Sequence, residues 1–153
     1  MKLLKDILYK AGIEEVVGNT NIAITEVQFD SRKVTKDRVF VAVPGTQVDG
    51  HHYIDSAIDS GALAIVCETL PEVIDQRITY VVVRSSAFAL GVLSSAFYDH
   101  PSEKLKLIAV TGTNGKTSVV TMLYRLMKGM GHKAGLLSTV DVRIDNEVLE
   151  ATH

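Results

Sequence analysis

The segment Thr111-Gly112-Thr113-Asn114-Gly115-Lys116-Thr117-Ser118 constrains this chain more than any other stretch. A Gly-Lys-Thr that closes an apolar run and opens an amphipathic one calls for a strand, a tight turn and a helix, in that order. Glycines at 112 and 115 let the backbone approach an anion closely and take a positive φ. The turn then aims successive amide N–H groups at phosphate oxygens, and a helix starting at Lys116 adds the positive end of its dipole. Lys116 is the expected catalytic residue, reaching the β- and γ-phosphates of ATP. Gly112, Thr113, Asn114, Gly115, Lys116, Thr117 and Ser118 are the expected nucleotide-binding residues, with the Thr117 hydroxyl on Mg²⁺. Position 110 is valine, so the first glycine of the widest P-loop pattern is absent and the loop starts at Gly112.

Apolar spacing sets the rest of the organisation. Leu3, Leu4, Ile7 and Leu8 share one face of an opening helix. Ile22 to Phe29 alternates as a strand does, and Val39 to Val43 is a short buried strand closed by Pro44-Gly45. Tyr53 to Ser60 reads as a helix with Gly61 at its C-terminal cap. Two further strands, Ala62 to Cys67 and Thr79 to Val83, precede a helix from Ser85 or Ser86 to about Tyr98. His100-Pro101-Ser102 breaks that helix, so a first α/β domain is expected over residues 1–101. From there, Leu105 to Val110 is a predicted strand, Lys116 to about Met130 a helix ended by Gly131, and Ala134 to Leu137 the closing strand of a βαβ unit. Val140 to Ile144 and Val148 to Ala151 form a hairpin around Asp145-Asn146. The expected fold class is therefore α/β, with residues 102–153 the incomplete start of a second, P-loop domain.

Composition excludes some functions. With 16 Lys and Arg against 18 Asp and Glu, the net charge is -2, and no basic block offers a footprint for nucleic acid. No apolar stretch is long enough to span a bilayer, and Asp6 and Lys10 interrupt the N-terminal leucines before a signal-peptide core develops. The one cysteine, Cys67, ends an apolar run and reads as a buried small hydrophobe in a reducing, cytoplasmic setting.

Two more constellations lie at strand ends. Asp30-Ser31-Arg32, taken alone, reads as a turn whose Asp and Ser cap backbone groups. Pro44 to Tyr53 has two glycines with polar residues between them, which suits a ligand-contacting loop. The adjacent His51 and His52 do not face one way on a helix and have no Cys or acidic residue at ligand spacing, so no metal is assigned to them. The five tyrosines, at 9, 53, 80, 98 and 124, read as packing residues.

In order, Asp-Ser-Arg, then Val-Phe-Val-Ala-Val-Pro-Gly with Asp-Gly-His-His-Tyr-Ile, then Val-Thr-Gly-Thr-Asn-Gly-Lys-Thr-Ser resembles the N-terminal part of a Mur ligase. These enzymes build the peptidoglycan stem peptide in the bacterial cytoplasm. Thr-Asn in the phosphate loop resembles the branch that adds the third stem residue. The branch adding the terminal dipeptide shares the other two motifs but usually carries Gly-Ser before its Gly-Lys-Thr. Folylpolyglutamate synthetases share the phosphate loop and lack such a first domain.

The resemblance implies that the first domain holds the uridine nucleotide of the substrate through Phe29, Ser31, Thr46, Gln47 and Val48. It implies that Ala151-Thr152-His153 corresponds to the approach to a Thr-Thr pair that helps hold the muramoyl substrate, with His153 the one residue of that site in this sequence. It implies ATP and Mg²⁺ as cofactors, UDP-MurNAc-L-Ala-D-Glu and a diamino acid (meso-diaminopimelate or L-lysine) as substrates, and a monomer without nucleic-acid or membrane partners. ATP would activate the D-glutamate carboxylate as an acyl phosphate, which the amine then attacks. The family's modified lysine, its second metal-binding carboxylate and its amino-acid-selecting domain match nothing up to His153, so the chain alone is expected to be inactive. Three alternatives stay open: a ligase of the branch that adds the terminal dipeptide, another ATP-dependent enzyme with the same loop, and a non-catalytic uridine-nucleotide-binding module.

Overall fold

The structure, a computed structural model, describes residues 1–45, 48–145 and 147–149. The chain divides into two compact units, Met1–Leu105 and Lys106–His153.

The first unit runs β1 (Lys2–Leu3), α1 (Leu4–Ile7), β2 (Ile13–Val17), β3 (Ala23–Ile24), β4 (Glu26–Gln28), β5 (Arg38–Val41), α2 (Ile54–Asp59), β6 (Ala62–Cys67), β7 (Thr79–Val83) and α3 (Ser86–Phe97). Its main sheet has the order β2-β7-β6-β5-β4. Strands β4 to β7 are mutually parallel, and β2 joins β7 antiparallel.

Strands β5, β6 and β7 read as continuous apolar runs because both of their faces are covered. Alternation along each strand divides one run between two cores. Val39, Val41, Ala64, Val66, Val81 and Val83 pack with Leu4 and Ile7 of α1 and Ala89 and Leu93 of α3. Phe40, Ile65, Cys67, Tyr80 and Val82 pack on the other face with Ile54 and Ala57 of α2. Gly61, at φ +102, turns the chain out of α2 in a backbone conformation that side chains rarely adopt, and an added Cβ would lie 3.0 Å from the Lys36 Cα.

Several expected elements form as read: β6, β7, α2 with Gly61 behind it, and α3, whose Ser85 hydroxyl accepts from the Phe88 N–H at 3.4 Å. Others differ. The opening helix shortens to Leu4–Ile7, because Leu3 pairs with Ala23 in a two-stranded ladder. That ladder also divides the expected Ile22–Phe29 strand at Thr25, whose N–H and hydroxyl donate to the Asp37 carbonyl. β2 has no apolar alternation and was invisible to pattern reading; as an edge strand it is largely exposed, with only Val17 half-buried. Among the tyrosines, Tyr80 is a packing residue, whereas Tyr9, Tyr53 and Tyr98 are exposed. A tyrosine can lay its ring on the surface and keep its hydroxyl in water, as Tyr98 does edge-on against Phe97.

The second unit contains α4 (Lys116–Gly129) and the antiparallel sheet β8 (Gly135–Leu137), β9 (Val142–Ile144) and β10 (Glu147–Leu149), ordered β10-β9-β8. Gly131, at φ +81, follows α4 as expected. Asp145 takes a positive φ at the hairpin turn and accepts from Lys128 and, through its carbonyl, from Tyr124. The strand expected over Leu105–Val110 is a correction: among the described residues no strand is hydrogen-bonded to it, and Leu107 and Ile108 are exposed. A strand exists only as part of a ladder, and β8 spends its described pairing on β9. The βαβ unit is therefore not closed among the described residues.

Two stability outcomes follow from the double-faced core. Leu93→Ala should lower the unfolding free energy by roughly 3 kcal/mol, whereas Phe88→Ala on the exposed side of α3 should cost less than about 0.5 kcal/mol, by urea denaturation. Equal costs would contradict the packing. Burial also pushes the Cys67 thiol up from 9.0 to about 11. Above pH 9 the unfolded chain releases that proton while the folded chain keeps it. Stability from this group is thus full below pH 9 and lost as pH rises toward 11, which denaturant titrations across that window would register and a Cys67→Ala variant should not.

Candidate functional site

Two constellations carry the expected site residues, one in each unit. In the second, Gly112 and Gly115 take φ values of 149° and 77°. Gly115 is the N-cap of α4 in the left-handed region, and among the described residues no side chain caps the helix there. The first α4 amides, which have no intrahelical acceptor, are left for another partner. Lys116 arches back so that its Nζ donates to the Gly112 carbonyl at 2.6 Å and the Thr113 carbonyl at 3.3 Å. The ammonium thus sits over the turn, and residues 111–116 are solvent-exposed. Thr117, half-buried, is the second residue of α4. A capless helix end, two left-handed-tolerant glycines and a lysine folded over the turn suit a polyphosphate. One hydroxyl fits Mg²⁺, which keeps most of its water and shares phosphate oxygens. The expected strand before this turn does not form among the described residues, so the helix half of the motif carries the geometry alone.

In the first unit the candidate residues follow the carboxyl ends of parallel strands. Phe29, exposed, follows β4, and Ser31 opens a 3₁₀ turn, Ser31–Lys33. Asp30 Oδ1 accepts from the Arg32 N–H at 3.1 Å and its Nε at 2.9 Å, while Oδ2 accepts from Nη2 at 2.9 Å. The Arg32 guanidinium holds the Asp30 carboxyl below the usual carboxylate range. Asp75 and Arg77 repeat this arrangement, with Asp75 lowered to about 2 by its arginine. Asp-x-Arg is therefore a local turn device in this chain, and Ser31 is half-buried between the two paired residues.

The second loop has a rigid stem. Gly45 N–H donates to the Val48 carbonyl at 3.0 Å, Gly50 N–H donates to the Val43 carbonyl at 3.0 Å, and Pro44 bridges Asp49. A Cβ on Gly45 would meet the Val48 carbonyl oxygen at 2.7 Å, and one on Gly50 would meet both the N and O of Val43 at 2.7 Å. Here glycine is required by close backbone approach. Val48 is exposed at the tip. Thr46, Gln47 and His153, also expected in the site, lie outside the described residues.

The histidines diverge. His52 is exposed. His51 Nδ1 lies 2.6 Å from Asp49 Oδ1, and its Nε2 accepts from the Glu68 N–H at 2.9 Å. Both ring nitrogens are thus engaged within the protein. The His51 backbone N–H, followed by its ring, holds the Asp49 carboxyl below the usual carboxylate range. Glu68 Oε1 in turn accepts from the N–H and hydroxyl of buried Ser86, each at 2.8 Å. Glu68 and Ser86 carry no sequence signal, because the contact joins residues 18 apart through the fold.

Comparison with known proteins places the chain in a family. A family model described as the Mur ligase family, catalytic domain, matches residues 23–98, and one described as the Mur ligase middle domain matches residues 110–153. The UDP-N-acetylmuramoyl-L-alanyl-D-glutamate--2,6-diaminopimelate ligase of Cytophaga hutchinsonii is 51% identical over 151 residues, 98% of this chain and 31% of its own length. A solved structure of a ligase of that same name has a TM-score of 0.62 at 25% identity, covering 79% of this chain and 25% of that one. The MurF ligase of Thermotoga maritima in complex with ADP has a TM-score of 0.52 at 33% identity, covering 68% and 23%. The chain thus spans about a third of the length of the curated relatives it matches. Matched by the family's models from residue 23 to 98 and again from 110 to 153, the chain belongs to the Mur ligase family.

Proposed function

We propose that this chain is the nucleotide-sugar unit and the opening of the ATP unit of an ATP-dependent amide ligase. Its substrates are UDP-N-acetylmuramoyl-L-alanyl-D-glutamate and 2,6-diaminopimelate. The diaminopimelate reading rests on the names of relatives 51% and 45% identical to the chain and narrows the choice that the sequence left open with L-lysine. The observation that carries the ligase reading is the Gly112–Ser118 turn, with its capless helix end and overarching Lys116.

In the proposed reaction the γ-phosphoryl group of ATP passes to the D-glutamate side-chain carboxylate, and ADP leaves. The diamino-acid amine attacks the resulting acyl carbon, phosphate departs with the bonding pair, and the amine loses a proton. Activation is needed because a carboxylate at neutral pH resists an amine. Phosphoryl transfer asks mainly for positioning and charge neutralisation. Lys116 serves this by leaving its two carbonyl partners for the more strongly attracting phosphates, and the amides of Gly112 to Ser118 orient them. Mg²⁺, held by the Thr117 hydroxyl, supplies further neutralisation when bound.

Residues 1–101 form the substrate domain in this reading. Phe29, Ser31 and Val48, with Thr46 and Gln47, contact the uridine nucleotide, and His153 approaches the muramoyl group. The reaction consumes ATP and a nucleotide-linked sugar, which places it in the cytoplasm, and no described helix is long and apolar enough to cross a membrane. The ligase is proposed to act as a monomer.

The two sites sit in separate units, so their losses should separate. In a protein carrying this chain at the length of its relatives, Lys116→Ala should lower kcat/KM for ATP by about a thousandfold. Calorimetric affinity for the UDP-linked dipeptide should change less than about threefold, since no phosphate-loop interaction contributes to it. A loss of ATP efficiency below tenfold, or a parallel loss of nucleotide-sugar affinity, would overturn the assignment.

A further inference from the structure

The loop proposed to hold the uridine nucleotide is fastened to the sheet through one imidazole. Asp49 begins the 3₁₀ turn Gly50–Tyr53, and its Oδ1 accepts from the His51 N–H at 2.9 Å as well as facing the ring at 2.6 Å. Across the ring, Nε2 receives the Glu68 backbone N–H, just past the end of β6. The Glu68 carboxylate then anchors the first turn of α3 through Ser86.

This pattern admits one proton arrangement. A backbone N–H can only donate, so Nε2 must be the acceptor. Nδ1 therefore keeps the proton and donates its N–H to the Asp49 carboxylate in a hydrogen bond, so the ring is the Nδ1–H tautomer. The link spans what the sheet does not: β5 and β6 are paired up to Val41 and Val66, the Ala42 N–H still donates to the Val66 carbonyl, and beyond that the loop leaves the ladder. The glycine contacts fix the shape of the stem, while His51 fixes where the stem sits over the end of β6.

We infer that His51 is a positioning residue for nucleotide-sugar binding, holding the stem residues Asp49 and Gly50 beside the end of β6 through its Asp49 and Glu68 contacts. This rests on the reading above that the loop holds the uridine nucleotide. His51 does not touch the ligand in this account; it acts through Asp49 and the stem.

The test uses a protein carrying this chain at the length of its relatives, UDP-N-acetylmuramoyl-L-alanyl-D-glutamate as titrant, and three forms: wild type, His51→Phe and His51→Gln. Phenylalanine keeps the ring volume and removes both contacts. Glutamine returns an acceptor oxygen to the place of Nε2. Affinity should fall about tenfold in His51→Phe, the worth of one or two net hydrogen bonds, and lie within about threefold of wild type in His51→Gln. Nitrogen-15 spectra of wild type should show the Nδ1–H tautomer at His51, a signature that a space-filling role does not require. Unchanged affinity in a folded His51→Phe, failure of glutamine to rescue, or an Nε2–H tautomer would overturn the inference and leave the ligase reading standing. If His51→Phe does not fold, the glutamine affinity and the tautomer decide the matter. Absence of wild-type binding would overturn the nucleotide-sugar reading and this inference with it.

Discussion

Burial of β5, β6 and β7 on both faces is the constraint on which the first unit depends. A strand covered above and below has no side chain to spare for a ligand, so chemistry must be carried where strands end. Because β4 to β7 run parallel, their carboxyl ends gather at one edge of the sheet. Phe29 and Ser31 follow β4, Val48 and His51 follow β5, Glu68 follows β6, and Ser86 follows β7. Residues spread over more than fifty positions are neighbours there for topological reasons alone.

That edge is organised by two kinds of local rigidity. Glycines 45 and 50 let backbone lie on backbone at distances no side chain would permit, which closes the loop stem without any side-chain order. Polar side chains then fasten the stem: Asp49 caps, His51 bridges, and Glu68 carries the bridge to α3. The Asp30–Arg32 pair shows the contrast. Its twin at Asp75–Arg77 marks it as a turn former.

Legibility followed burial. Ala62–Cys67 and Thr79–Val83 were readable to the residue because a doubly covered strand must be apolar throughout. The turn at Gly112–Gly115 and the helix behind it were readable because two glycines before Lys116 call for a left-handed turn into a helix start. What escaped notice was set by partners distant in sequence. β2 is an edge strand whose Glu14 and Glu15 disguise it, and it exists because β7 offers a ladder. Leu105–Val110 is apolar except for Lys106, yet among the described residues nothing pairs with it. His51 was visible only as half of a histidine pair; its acceptor role required the fold to bring the Glu68 N–H to it.

The central claim is that a protein built on this chain makes an amide by first phosphorylating a carboxylate. Isotope transfer tests it most directly. With ¹⁸O in the D-glutamate side-chain carboxylate of the UDP-linked dipeptide, and with ATP and diaminopimelate, a protein carrying this chain at the length of its relatives should release phosphate containing one ¹⁸O per amide formed. Amide formation with unlabelled phosphate would contradict an acyl phosphate and, with it, the role assigned to Lys116.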